Sequence, residues 1–247
     1  MKLPFLLSED RLNRARFAVI LVNPENQENI GLVARAMKNT GFSQLRIVGS
    51  EEPGPEAFRT AVHSSDILKR ASFFPTLEEA VSDLNLVLAS TVRQRKAFRI
   101  MTIDEVLEKA KAFPREIQIG LVFGNERTGL SDRELRRANF VFFIPQAVRQ
   151  PSYNLAAAVL ITLYTIYRQS GSEPVPQTAP PLPRKEQEDC LKLILKKLEK
   201  RGFMHATNRE HVTDLLHDLF GRLALSERDR RFLTAVFNKG LGREKKE

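Results

Sequence analysis

Three short segments hold the residues best suited to chemistry. The first, NPENQENIGLVARAM (23–37), carries Asn29, Gly31 and Arg35. The second, LVFGNERTGLSDRE (121–134), carries Gly124, Glu126 and Gly129. The third, IPQAVRQPSYNLAAAV (144–159), carries Ser152 and Asn154 behind Ile144 and Pro145. Amides, a hydroxyl, a carboxylate and a guanidinium are groups that hold and orient a polar ligand. A guanidinium meets a carboxylate, a phosphate or a ribose oxygen equally well, so Arg35 reads either as a ligand contact or as an ion pair with Glu126. Gly31 and Arg35 stand one helical turn apart, on the same side. Each segment follows a strand-like apolar run and leads into a helix-like run. Ligands of open α/β sheets bind at the carboxyl ends of strands, so three such junctions point to one composite site.

Each motif has a plain structural reading beside the functional one. Gly124 to Gly129 has the GxxxxG spacing of a phosphate loop, but Leu130 and Ser131 follow where that loop needs Lys then Ser or Thr. No GxGxxG follows any strand, which argues against a dinucleotide site. A tight turn with a helix cap explains the same glycines. Ser152 and Asn154 are good N-caps, while a helix N-terminus also offers free N–H groups to a ligand. The stretch 93–99 sets Arg93, Arg95, Lys96 and Arg99 around Phe98. It reads as a solvated loop, or as a phosphate-binding loop with a stacking aromatic. His63, His205, His211 and His217 lack metal-ligand spacing, so no metal is expected.

The elements that must position these groups follow from periodicity and caps. Continuous apolar runs at 17–22, 45–48, 86–89, 117–123 and 140–144 predict buried strands. Ile30, Val33, Ala34 and Met37 make one helix face that ends at Gly41. Thr76, Thr102 and Ser131, each three residues before a Glu, are capping-box signals, and a long helix is expected over 153–168. Strands alternating with helices predict an α/β fold: a mainly parallel sheet with helices on both faces. Residues 170–183 hold five prolines and read as a linker. Beyond them, 184–247 predict a small all-helical domain with apolar faces at Leu191, Ile194, Leu195 and Leu198, at Val212, Leu215, Leu216, Leu219 and Leu223, and, after a cap at Ser226, at Phe232, Leu233, Val236 and Phe237.

The 247 residues carry a formal charge of +9, which favours a polyanionic partner, nucleic acid or anionic membrane, or serves solubility alone. Residues 184–247 hold 16 Lys+Arg against 11 Asp+Glu, over half of that excess. Cys190 is the only cysteine, which excludes an intramolecular disulfide and a cysteine-based zinc site. Residues 1–10 lack the pattern of a signal peptide, and the apolar run 155–167 is too short to span a bilayer. A cytoplasmic protein without a membrane partner is expected.

Taken together, the three segments resemble the motifs of the SPOUT methyltransferases, in the SpoU/TrmH branch of RNA ribose 2′-O-methyltransferases. Asn29, Gly31 and Arg35 match the first motif, Gly124, Glu126 and Gly129 the second, and Ile144, Pro145, Ser152 and Asn154 ahead of Leu155 the third. The likeness covers residues 17–168. The Asn-Pro opening and the helical extension are similar to a group within that branch that acts on tRNA.

The resemblance implies a C-terminal trefoil knot, S-adenosyl-L-methionine as cofactor, and a homodimer whose active site uses both subunits. It implies methylation of a ribose 2′-hydroxyl in tRNA, at an anticodon-loop pyrimidine; ribosomal RNA as substrate, or RNA binding without catalysis, are the alternatives. Arg35, Glu126, Ser152 and Asn154 become the expected catalytic set. Guanidinium groups stay protonated in proteins, so Arg35 is expected to stabilise charge. The expected cofactor contacts are Thr91, Val92, Arg93, Phe123, Gly124, Asn125, Ile144, Pro145, Ser152, Tyr153, Asn154 and Leu155. Asn29, Arg35, Arg93, Arg95, Lys96 and Arg99 are expected at the RNA, with residues 184–247 as a tRNA-binding extension. Tyr153 replaces the usual Leu, and Pro151 a small polar residue, which puts the choice of base in question.

Overall fold

The computed structural model of the chain describes residues 14–49, 52–93, 95–114, 116–148, 152–169 and 179–239. Among them, seven strands form one wholly parallel sheet: β1 (Phe17–Val22), β2 (Gln44–Val48), β3 (Ser72–Phe74), β4 (Leu86–Ser90), β5 (Ile100–Thr102), β6 (Ile119–Phe123) and β7 (Phe140–Phe143). Their order is β3-β2-β1-β6-β4-β7-β5. The helices are α1 (Gln27–Thr40), α2 (Pro55–Ala61), α3 (Ser65–Lys69), α4 (Leu77–Ala80), α5 (Ile103–Lys111), α6 (Asp132–Leu135), α7 (Leu155–Gln169), α8 (Arg184–Lys200), α9 (Arg209–Arg222) and α10 (Glu227–Lys239).

All six residues of β1 are buried because the sheet is covered on both faces. Side chains alternate across a strand. Phe17, Val19 and Leu21 therefore join the core under α1, α5 and α7, while Ile20 and Val22 join the one under α4 and α6. In α1, Asn26 caps the start, accepting from the Glu28 N–H at 2.7 Å, and Gly41 ends it at φ +80°. Gly31 faces α2: a Cβ there would lie 2.2 Å from the Ala57 carbonyl oxygen. Thr102 and Ser131 form full capping boxes with Glu105 and Glu134. Caps of this kind each stabilise a helix by about 1 kcal/mol. Sequence patterning foresaw neither the three-residue strands β3 and β5 nor the short helices α2 and α3.

The last three helices close around Cys190, Leu191, Ile194, Phe220 and Leu225. The expected face of α8 packs, but that of α9 does so only in part: Leu216 contacts the cluster, whereas Leu215 and Leu219 are exposed. The unit docks on its own chain. Arg184 N–H donates to the Leu84 carbonyl at 2.8 Å, Asn85 Nδ2 to the Pro181 carbonyl at 2.7 Å, and Asn139 Nδ2 to the Leu223 carbonyl at 3.0 Å. Ion pairs Arg137–Glu188 and Arg136–Asp218 reinforce the seam. Arg184 is only 4% exposed, and burial brings its guanidinium down to about 10. The linker expected at 170–183 lies mostly outside the described residues.

Candidate active site

A cavity of about 260 Å³ opens beside the carboxyl ends of β4, β6 and β7. Those strands lie together because β6 and β7 each insert beside β4. Ala89, Phe123 and Phe142, at or next to those strand ends, are buried, so the polar residues beyond them are the first able to face a ligand. Three walls result: Ser90 to Arg93 after β4, Phe123 to Leu130 from β6 onward, and Ile144, Gln146, Ser152, Tyr153 and Leu155 after β7.

The second wall folds back on itself. Asn125 bridges to Gly129, and the Asn125 side-chain oxygen accepts from Thr128 N–H at 2.7 Å and from its hydroxyl at 2.8 Å. A Cβ on Gly124 would lie 2.3 Å from the Gly129 carbonyl carbon, and Gly129 takes φ +66°. Both glycines are thus required by the turn, and the same turn forms a wall of the cavity.

Glu126 leaves this turn toward the first motif. Its carboxylate accepts from Asn29 Nδ2 at 2.7 Å, from Glu25 N–H at 3.0 Å and from Asn26 N–H at 3.3 Å. Burial works against its ionisation, but the Asn29 amide and these backbone donors outweigh it and hold the carboxyl below the usual range. Asn29 is 5% exposed, and its own oxygen accepts from Asn154 Nδ2 at 2.9 Å. Asn154 in turn caps α7, its oxygen accepting from Ala156 N–H at 2.9 Å. One polar chain, Asn154 to Asn29 to Glu126, joins the three motifs.

Of the expected cofactor contacts, ten line the cavity; Pro145 and Asn154 do not. The Pro145 carbonyl accepts from the Tyr153 hydroxyl at 3.4 Å, and Asn154 points its amide into the polar chain. Arg35 is exposed on α1, outside the cavity lining, and makes no hydrogen bond or ion pair among the described residues, so the alternative pairing with Glu126 does not form. Asn29, expected at the RNA, is spent on internal bonds. Arg95 donates to the Leu130 carbonyl at 2.7 Å and pairs with Asp132, tying the basic loop to the second wall. Arg93, Lys96 and Arg99 remain exposed. Sequence reasoning missed Ser90, Arg127, Thr128, Leu130, Gln146 and Ala158 as lining residues; Gln146, directly after Ile144 and Pro145, carried the one available signal.

The cavity suits a nucleoside-bearing cofactor. Phe123, Ile144 and Leu155 offer apolar contact, Thr91 and Ser152 offer hydroxyls, and Gly124 leaves backbone without a side chain at the wall.

The chain is similar to proteins already known. The sequence profile of the SpoU rRNA Methylase family matches residues 16–164. The chain is 33% identical, over 90% of its own length and 92% of the relative's, to the tRNA (cytidine/uridine/adenosine-2′-O-)-methyltransferase TrmJ of Pseudomonas aeruginosa. It is 37% identical to the tRNA (cytidine-2′-O-)-methyltransferase TrmJ of Methanocaldococcus jannaschii, matching 61% of this chain and 66% of that one. The crystal structure of TrmJ from Z. mobilis superposes with a TM-score of 0.77 at 30% identity, covering 91% of this chain and 99% of the other.

Proposed function

The chain belongs to the SpoU methylase family, and from that membership we propose that it transfers the methyl group of S-adenosyl-L-methionine to a ribose 2′-hydroxyl of tRNA. The observation that carries the reading is the single cavity walled by the second and third motifs and braced by the first through Asn29. S-adenosyl-L-methionine, held by the walls after β4, β6 and β7, supplies an activated methyl group. A ribose hydroxyl is a weak nucleophile that must lose its proton as the new carbon–oxygen bond forms. The protein therefore has to align the hydroxyl and stabilise the charge that develops on it.

Arg35 is the cation we assign to that charge and to the neighbouring phosphate. Ser152, an exposed residue of the cavity lining, is assigned to the reacting ribose, and Asn154 and Glu126 to holding the site in register. Arg93, Lys96 and Arg99 lie exposed for phosphate contacts. We assign residues 1–169 to catalysis, 170–183 to a linker and 184–247 to holding tRNA, with an anticodon-loop pyrimidine as target and the cytoplasm as location.

The active form we propose is a homodimer. Leu160, Tyr164 and Tyr167 leave an exposed apolar stripe on α7, and Leu32 and Arg35 share the exposed face of α1, which packs against it. Exposed patches of this kind mark interaction surfaces. Pairing along them would bring Arg35 toward a partner's cavity. A trefoil knot is supported by β7 lying between β4 and β5, within the span that their connection bridges.

The test is incubation with methyl-labelled S-adenosyl-L-methionine and unmodified tRNA transcripts, with mapping of 2′-O-methyl by resistance to alkaline cleavage. One protected ribose in the anticodon loop is the expected result. Transfer to ribosomal RNA alone overturns the substrate; no transfer to any RNA overturns the activity.

A further inference from the structure

A second concavity, of about 480 Å³, lies apart from the cofactor cavity, where α9 meets the β5 edge of the sheet. Its two sides come from different parts of the chain. Phe98 and Phe140 belong to the sheet unit, Leu219 and Leu223 to the C-terminal helices. The lining is mostly apolar, yet Leu219 and Leu223 are 43% and 39% exposed. Arg99, Lys109 and Arg222 also line it, beside the Arg136–Asp218 ion pair; Lys109 lies over the Phe140 ring and Arg222 Nε donates to the Asp218 carbonyl. None of these three forms an ion pair among the described residues; the Glu105 carboxyl feels the charges of Arg99 and Lys109 from a distance.

We propose that this groove is a subsite for one unpaired nucleotide of the RNA substrate, its base held between the aromatic and leucine walls and its phosphate by Arg99, Lys109 and Arg222. The inference rests on the RNA-methyltransferase reading above.

Two observations select RNA as the occupant. The first is charge complementarity: an apolar slot whose lining carries three cations outside any ion pair, against one carboxylate already neutralised by Arg136, fits a flat base joined to an anionic backbone, since any base can lie against an apolar or aromatic surface. The second is continuity. The connection 91–99 lines the cofactor cavity at Thr91, Val92, Arg93 and Arg95, and the groove at Phe98 and Arg99. An RNA strand that places one ribose at the cavity can follow this connection into the groove. The cis docking of the tail acquires a purpose here, because without α9 the slot has only one side.

The test uses the full-length protein, a tRNA transcript and Leu219→Glu, which places a negative charge on an exposed wall, with Leu219→Lys as the size-matched control. Steady-state methylation should show KM for tRNA raised about tenfold by Leu219→Glu, the scale of one lost base contact, with cofactor affinity and melting temperature retained. Leu219→Lys should keep KM within about threefold, the added cation offsetting part of the lost apolar contact. Transcripts carrying 4-thiouridine should cross-link to Phe98, Met101 or Leu223.

An unchanged KM for Leu219→Glu, together with no cross-link at these residues, overturns the subsite. So does a change of sedimentation coefficient in Leu219→Glu, which would make the groove a contact between protein copies. Absence of transfer by the unaltered protein is a different failure, that of the parent reading.

Discussion

The side-chain amide of Asn154 donates to the side-chain oxygen of Asn29 at 2.9 Å, across 125 positions of sequence. Asn29 spends its other end on Glu126. The three segments expected to form one composite site are therefore also one braced unit. The brace fixes the start of α7 relative to the cavity wall.

Asn29→Ala should loosen that unit. It leaves the Asn154 amide without its acceptor and the Glu126 carboxylate short of a donor. Stability should fall by about 1–3 kcal/mol, the cost of unpaired buried groups. Methyl transfer should fall about 100-fold, as for an ångström-scale misplacement of reacting groups. Denaturant melts and single-turnover kinetics check both, and wild-type turnover in a destabilised protein would refute the brace as a device for positioning.

Arg35→Ala should abolish methyl transfer and leave cofactor binding intact, because Arg35 lies outside the cavity lining. Its exposed position makes a stability change beyond about 0.5 kcal/mol unexpected. Arg35→Lys should recover little, since a point charge does not replace a planar fork of donors. Calorimetric titration with S-adenosyl-L-methionine separates the two effects; parallel loss of binding and turnover would move Arg35 to the cofactor.

Gly31→Ala tests the packing that seats α1. The new methyl would lie 2.0 Å from Thr60 Oγ1 and 2.2 Å from the Ala57 carbonyl oxygen. A side chain can rotate away, but a helix carbonyl cannot. Overpacking should cost about 1–3 kcal/mol, and adding Thr60→Ala should not restore it. Urea unfolding of the single and double variants decides this, with full rescue as the contrary result.

His217 gives the tail a pH dependence. Burial pulls its pKa below the ordinary 6.5, Arg137 and Arg184 act the same way, and Glu188 and Asp214 oppose them. A base whose folded pKa is lowered is protonated first in the unfolded chain. The stability present above 6.5 should therefore decline as pH falls below it. His217→Gln should flatten that decline below pH 6.5. Melting curves across this range check it; an unaltered slope assigns the effect elsewhere.

The sequence carried local information well and long-range information poorly. The bounds of β1 were legible because a strand covered on both faces is continuously apolar. The caps at Thr102 and Ser131 were legible because capping chemistry spans three residues. Edge strands β3 and β5 were not, since three residues are too few for an alternation to register. The internal bonds of Asn29 and Arg95 were not legible, for one reason. Spacing tells which residues share a helix face, but not that Glu126 or Leu130 arrives from 97 or 35 positions away. Spacing placed Gly31 on one side of α1 with Arg35, but it could not tell that α2 packs against that glycine.

The strand order has a consequence for how the chain comes to be folded. The two late strands, β6 and β7, fill slots between earlier ones, β6 between β1 and β4 and β7 between β4 and β5. Until residue 123 has left the ribosome, β1 and β4 have no shared neighbour, and each keeps an open edge of unpaired peptide groups. At about 5–20 residues per second, that exposure lasts several seconds of synthesis. Parallel pairing between distant segments is also slow once the chain is free. The arrangement that gathers the active-site walls around β4 thus makes the nascent protein dependent on whatever shields those edges in the meantime.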